Sequence, residues 1–433
     1  MSKTAGTSSM FSGAAKNFLG NVVGPLAGLA SAPILAHALG AERRGEVAGA
    51  TAPLLLFATV AAVGIPDAVT YFVARQVGRH ASIAWRSVVV TLVSGLVATV
   101  LAIALAPVLA ADDPALANLV VIASFAILPT ILVGVFRAIA AGQGRWGLVS
   151  IERASGPIVR LLAVIALVTT GHLTVFTATV AIAYSPVLAG IVYFALRWRQ
   201  HGVTAAPPSY RQLLGYSSRA WLGSIAGVIL MRIDQVAMVP LSSTYELGLY
   251  VVAVTVGELP LIVNTAIREV VFAADARSSS NESLTRAARV SFFVCLAMAV
   301  VMGGTSFWWV PIAFGDEFAA AVPTILVLLV AVVIGVPGSV AGAGLGARGK
   351  PQLRSYALII ACIVNVVLVI VLVPLLGAVG AALATLIGNL VSSNFNIVQM
   401  RVKFGVPISA FYLIRGRDVT MLVSKVAALL RRR

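Results

Sequence analysis

The chain has 433 residues, 60% of them hydrophobic and only 11% charged, with a formal net charge of +16. No polar stretch is long enough for a soluble catalytic domain, and the basic residues sit in short connections between apolar runs. The positive charge therefore points to orientation in a bilayer and contact with anionic lipid, not to nucleic acid.

Roughly 20 apolar residues cross a ~30 Å hydrocarbon core. Twelve such stretches follow one another at 15–39, 47–72, 87–110, 116–138, 155–171, 174–196, 213–240, 246–267, 287–311, 320–346, 355–373 and 378–400. All but four of the 31 Lys and Arg fall on one side of the membrane if both termini are cytoplasmic, as the positive-inside rule requires. The exceptions are Arg43 and Arg44, expected in an outer loop, and Arg160 and Arg232, expected within spans.

Span 1 has no small-residue cleavage signature and reads as a retained helix. Its Gly20-x-x-x-Gly24-x-x-x-Gly28 face predicts close helix approach. Span 2 is expected to break near its inner end at Gly64-Ile65-Pro66, leaving Asp67 as a helix cap or a cation ligand. Arg137, at the inner end of span 4, reads as an interfacial anchor. On span 5, Arg153 and Arg160 share a face seven residues apart, and either snorkel to the interface or form a basic ladder into the protein.

Residues 198–212 form the longest polar break between spans and divide them six and six. The division is echoed at an offset of about 204 residues. Pro107 and Asp112-Asp113 have counterparts in Pro311 and Asp316-Glu317, Gly144-Arg145 in Gly349-Lys350, and Val159-Arg160 in Val364-Asn365. Duplicated six-helix bundles, related by an axis along the membrane normal, account for this order.

Charges inside spans face a cavity or a partner, because lipid exposure is costly. Span 7 carries Arg219, Arg232 and Asp234. Arg232 and Asp234 are two residues apart, so they point to different helix faces. Glu258 on span 8 is expected at a depth similar to that of Arg232, making the two a plausible interhelical pair. Span 10 repeats the small-residue face with Gly338, Gly342 and Gly346. Cys295 and Cys362 lie inside spans, with no disulfide framework and no metal-type spacing. The basic tail, 401–433, is expected along the inner membrane surface.

Several segments resemble the polysaccharide-transporter branch of the superfamily that holds multidrug-and-toxin extrusion (MATE) proteins and lipid-linked oligosaccharide flippases. They are LAHALGAERRGEVAGATAPLLLFATVAAVGIPDAVTYFVAR (35–75), LMRIDQVAMVPLSSTYELGLYVVA (230–253), GDEFAAAVPTILVLL (315–329) and LVPLLGAVGAALATLIGNLV (372–391). The resemblance implies an all-α integral membrane fold of twelve transmembrane helices, in two six-helix bundles around a central cavity. The expected domains are 1–197, a linker at 198–212, 213–400 and the tail at 401–433.

The function implied is flipping a polyprenyl-diphosphate-linked oligosaccharide across a bacterial cytoplasmic membrane, with no cofactor and no enzymatic step. Arg232, Arg160, Arg219 and Arg153 are then candidates for the diphosphate, with Asp234, Glu258 and Asp67 as coupling or charge-pair residues. Anionic lipids, a polysaccharide polymerase or glycosyltransferases are the expected partners of a chain that works as a monomer. Peptidoglycan lipid II flippases carry two further C-terminal spans that this chain lacks, which points to an envelope oligosaccharide instead. The alternatives are a cation-coupled MATE-type drug exporter, which needs a carboxylate-rich cavity, and a non-transporting scaffold for envelope enzymes.

Overall fold

The computed structural model describes the backbone of residues 3–75, 80–196 and 209–412, and the side chains of 23–75, 81–196, 209–217, 225–272, 274–276 and 279–412. The described residues are almost entirely helical, as lipid demands of a chain with no water to satisfy its backbone. In chain order the helices are α1 (Lys3–Ala61), α2 (Ile65–Arg75), α3 (His80–Leu109), α4 (Pro114–Ser124), α5 (Ile127–Gly142), α6 (Trp146–Thr169) and α7 (Val175–Ala189). From residue 210 onward, starting within the expected linker, come α8 (Tyr210–Leu241), α9 (Thr244–Ser278), α10 (Asn281–Gly304), α11 (Ser306–Phe314), α12 (Val322–Ala347) and α13 (Pro351–Phe404). Eight segments among the described residues are long and apolar enough to cross a membrane, so the chain is a multi-pass membrane protein.

Two helices are too long for one crossing. α1 bends at Gly40 (φ 75°, ψ 178°) and α13 at Gly377 (φ 53°, ψ −130°). Both conformations suit glycine, which has no Cβ to clash. Each bend restarts a helix whose first N–H groups need acceptors, and in each a distant carboxylate supplies one. Ala41 N–H donates to Glu317 Oε2 at 2.9 Å, and Ala378 N–H donates to Glu246 Oε2 at 2.7 Å. Both bends lie at the end of the molecule that the Lys and Arg distribution predicts to face outward.

The expected break of span 2 is present between α1 and α2, where Val63 (φ 48°) and Gly64 (φ 66°) leave helical geometry. Spans 4 and 9 are also interrupted, between α4 and α5 and between α10 and α11. The echoed loops share their geometry. Gly144 (φ 70°) and Gly349 (φ 75°) each precede a residue whose N–H turns back to a carbonyl five positions earlier, Arg145 to Ala140 and Lys350 to Leu345.

Gly338 and Gly342 of the small-residue face on span 10 are buried at a close crossing. A side chain at Gly338 would collide with Ser393, and one at Gly342 with Asn396, so span 10 packs on the second arm of α13. Asn396 and Ser393 also donate to the carbonyls of Gly338 and Ile334, stitching the helix around Pro337. Gly24 faces Pro157, and Gly28 faces the guanidinium of Arg160. The inner ends are held by ion pairs. Arg137 is no mere interfacial anchor: it forms a two-bond pair with Glu152 at 2.7 and 2.8 Å, to which Tyr193 also donates. Arg348 pairs with Asp275 at 2.7 and 2.8 Å and lies over the Phe404 ring. The basic tail beyond residue 412 lies outside the described residues.

Candidate functional site

A cavity of about 340 Å³ lies between α1, α6, α7, α8 and α9, near the lower end of the ~300–1,000 Å³ common for ligand pockets. Three guanidinium groups reach its wall, from Arg44, Arg160 and Arg232, and Glu258 is the only carboxylate on it among the described residues. Ser31, Thr51, Gln235 and Thr255 add neutral polar groups, and aliphatic residues with Gly24, Pro25 and Gly28 complete the lining.

Depth along the helices orders these charges. Arg160 and Arg232 stand nine residues below the outer helix ends at Thr169 and Leu241, about 14 Å at 1.5 Å per residue. Arg44 stands three residues below the bend at Ala41, about 4–5 Å by the same rise. Glu258 is the deepest, fourteen residues from the start of α9 at Thr244, or about 21 Å. The basic charge thus occupies the middle and outer levels, with the single acid towards the inner end.

This order corrects two expectations. Arg232 and Glu258 are not at similar depth but about 7 Å apart along the helices, and no ion pair joins them. Arg232 reaches only Gln235 Oε1, at 3.5 Å, and Glu258 is exposed in the cavity. Arg44 is not in an outer loop, because the helix resumes at Ala41 and turns its side chain inward, 9% exposed. In the sequence, Glu42-Arg43-Arg44 looks like a polar turn, which is why Arg44 is expected outside. The available signal was Gly40 followed by a Gly45-x-x-x-Gly49 face, which marks a helix restarting before the double arginine.

Arg160 does not snorkel to the interface: it lies on the cavity wall, its guanidinium in the space left by Gly28, and its buried Nε finds no partner. Arg153 is outside the cavity wall, so no ladder of two arginines lines α6. The side chain of Arg219 lies outside the described residues. Asp234 points away from the cavity, as its spacing from Arg232 predicts. It is 3% exposed, accepts from Tyr250 Oη and from Gln235 N–H at 2.8 Å, and lies near Thr385 on α13. Asp67 is exposed in the first turn of α2, away from the cavity wall, where its charge suits a helix N-terminus.

The outer end above the cavity is sealed by contacts between distant parts of the chain. The main chains of Gly45 and Gly248 touch, His37 Nε2 is 3.2 Å from the Ile312 carbonyl oxygen, and Glu317 caps Ala41. Near the inner end, Tyr71 of α2 stacks on Tyr216 of α8 with ring centroids 4.6 Å apart.

Residues 11–274 match the model of a family described as polysaccharide biosynthesis protein. No protein of curated function matches the chain in sequence. In structure, the chain resembles an inward-facing multidrug resistance MATE family transporter of the MOP superfamily (TM-score 0.70, 16% identity, covering 91% of this chain and 98% of the other). It also resembles the lipid II flippase MurJ in an inward closed conformation (TM-score 0.72, 13% identity, 93% and 89%). A third similar structure is a MOP superfamily transporter from Pyrococcus furiosus, described as having a binding pocket of reverse polarity (TM-score 0.57, 18% identity, 92% and 94%). At these identities the likeness is one of fold.

Proposed function

The chain belongs to the polysaccharide biosynthesis protein family, and on that premise we propose that it flips a polyprenyl-diphosphate-linked oligosaccharide across the cytoplasmic membrane of a bacterium. The observation that carries this reading is the charge of the cavity: among the described residues, Arg44, Arg160 and Arg232 against Glu258 alone. A guanidinium presents a planar fork that matches phosphate oxygens, and it keeps its charge at any physiological pH. The diphosphate and first sugars enter the cavity while the polyprenyl tail stays in lipid. Twelve spans in two six-helix bundles, with both ends cytoplasmic, rock about this site. An inside-negative potential favours outward movement of the diphosphate by about 2.3 kcal/mol per charge per 100 mV.

A cation-coupled drug exporter is the second reading, and it calls for the opposite wall. A cationic drug entering this cavity would meet three fixed positive charges and one carboxylate. Anionic lipids, a polymerase or glycosyltransferases are the partners this function would use.

Depletion of the protein in its host is the direct test. A polyprenyl-diphosphate oligosaccharide should accumulate on the inner leaflet, and its chemical identification names the substrate. An unchanged lipid-linked pool, together with increased sensitivity to cationic drugs, would transfer the assignment to the exporter.

A further inference from the structure

Arg44 occupies a place that packing does not explain. It is 9% exposed, its Nε has no acceptor, and no hydrogen bond or ion pair to it is found among the described residues. Two other arginines with buried side chains are held, Arg348 by Asp275 and Asn281, and Arg289 by the Ala410 carbonyl. The electrostatic neighbour of Arg44 is Arg160, another cation. Its flanking acids, Glu42 and Glu46, stand two residues away along the helix, a spacing that turns them to other faces. A buried cation without a counter-charge is costly, so the position favours a ligand that supplies one.

The location says which event that ligand accompanies. Ala41, one turn above, is the first residue after the bend, and its N–H is held by Glu317 from the opposite side of the outer seal. Gly45, the next residue, makes the main-chain contact with Gly248. A helix N-terminus is an anion site, and here a carboxylate of the protein occupies it.

We infer that Arg44 is the outer anion subsite of the cavity and couples arrival of a phosphate to opening of the outer seal, an inference that rests on the flippase reading. Arg160 and Arg232, about 10 Å deeper, take the diphosphate first. Passed on to Arg44, the phosphate repels the Glu317 carboxylate and competes for the N-terminus it caps. Loss of that cap frees Ala41 and Gly45 from the far side of the seal. The phosphate then gains helix N–H groups that only the open state offers, which is the differential binding an opening ligand needs.

The test uses the full chain in lipid nanodiscs, without Cys295 and Cys362, carrying paired spin labels at positions 43 and 245, and inorganic pyrophosphate as probe. Affinity and the 43–245 distance distribution are read on the same samples. In the protein with Arg44 intact, saturating pyrophosphate should raise the long-distance population. In Arg44→Gln, pyrophosphate should still bind, weakened by less than about tenfold because Arg160 and Arg232 remain, but at saturation the long-distance population should stay at its ligand-free value. Arg44→Lys should recover part of the response, which keeps the test decisive if the glutamine variant does not fold. Glu317→Gln should raise the long-distance population without pyrophosphate. A full response in Arg44→Gln, or none in Arg44→Lys together with an unchanged resting distance in Glu317→Gln, would overturn the coupling and leave the flippase reading intact. Failure of the Arg44-intact protein to bind pyrophosphate at all would overturn that reading, and the inference with it.

Discussion

Gly45 and Gly248 meet main chain to main chain at the outer end of the molecule. A Cβ on Gly45 would overlap the Thr244 carbonyl, and one on Gly248 would overlap the Ala41 carbonyl. The contact closes the roof of the cavity, and it exists only because both residues lack side chains. Gly45→Ala or Gly248→Ala should cost the sealed state about 1–3 kcal/mol, the usual penalty of overpacking. Each 1.4 kcal/mol shifts the sealed-to-open ratio roughly tenfold. Spin labels at positions 43 and 245 should show the open population rising, while insertion and yield stay near normal. An unchanged distance distribution would mean that the seal does not depend on this crossing.

Arg232 and Glu258 share the cavity wall without pairing, and their effects should therefore be independent. Arg232→Ala should abolish flipping while leaving the protein folded, and Arg232→Lys should restore only part of it, since an ammonium lacks the fork. In a double-mutant cycle with Glu258→Ala, folded yield and flipping are measured on the same four variants. The coupling energy should fall below about 0.5 kcal/mol, as for separated sites. Recovery of transport in the double mutant would reinstate the pair.

The ion pairs at the inner end should divide by burial. Arg348 and Asp275 are 4% and 3% exposed, so Asp275→Asn leaves a buried guanidinium uncompensated and should cost about 3–5 kcal/mol. Arg286–Glu282, at 34% and 67%, is a one-turn surface pair worth about 0.3–0.5 kcal/mol. Thermal unfolding in detergent should show a clear fall in Tm for the first substitution and almost none for Glu282→Gln.

Gly377 bends α13 at a backbone angle that only glycine adopts without strain, and a Cβ there would strike the Glu246 carboxylate. Gly377→Ala should therefore lower stability by about 1–3 kcal/mol for the backbone alone. Glu246→Gln, which keeps an acceptor for Ala378 N–H, should be milder. Equal Tm losses in the two variants would mean that the cap charge, and not the bend, dominates.

Topology follows from the distribution of Lys and Arg. With Cys295 and Cys362 removed, single cysteines at Asp113 and Asp316 should react with an impermeant thiol reagent in intact cells. A cysteine at Arg145 should react only after the membrane is opened. Labelling of position 145 from outside would reverse the assigned orientation.

The sequence by itself determined the class of this protein and much of its layout. Runs of apolar residues of bilayer length leave a chain no alternative to helices, because lipid offers its backbone no partners. Local spacing was equally readable: Arg232 and Asp234 point apart, the glycine face of span 10 marks a close crossing, and Gly64-Ile65-Pro66 breaks a span. The tertiary structure alone decided which charges share a space. Glu317 caps a helix start 276 residues away, Asp275 is joined to Arg348 across 73 residues, and Arg44 turns from an apparent loop into the cavity wall. A helix's own periodicity fixes the direction of a side chain relative to its neighbours on that helix. What it faces depends on where other helices are brought by packing, and on bends such as Gly40, where one φ angle redirects every residue that follows.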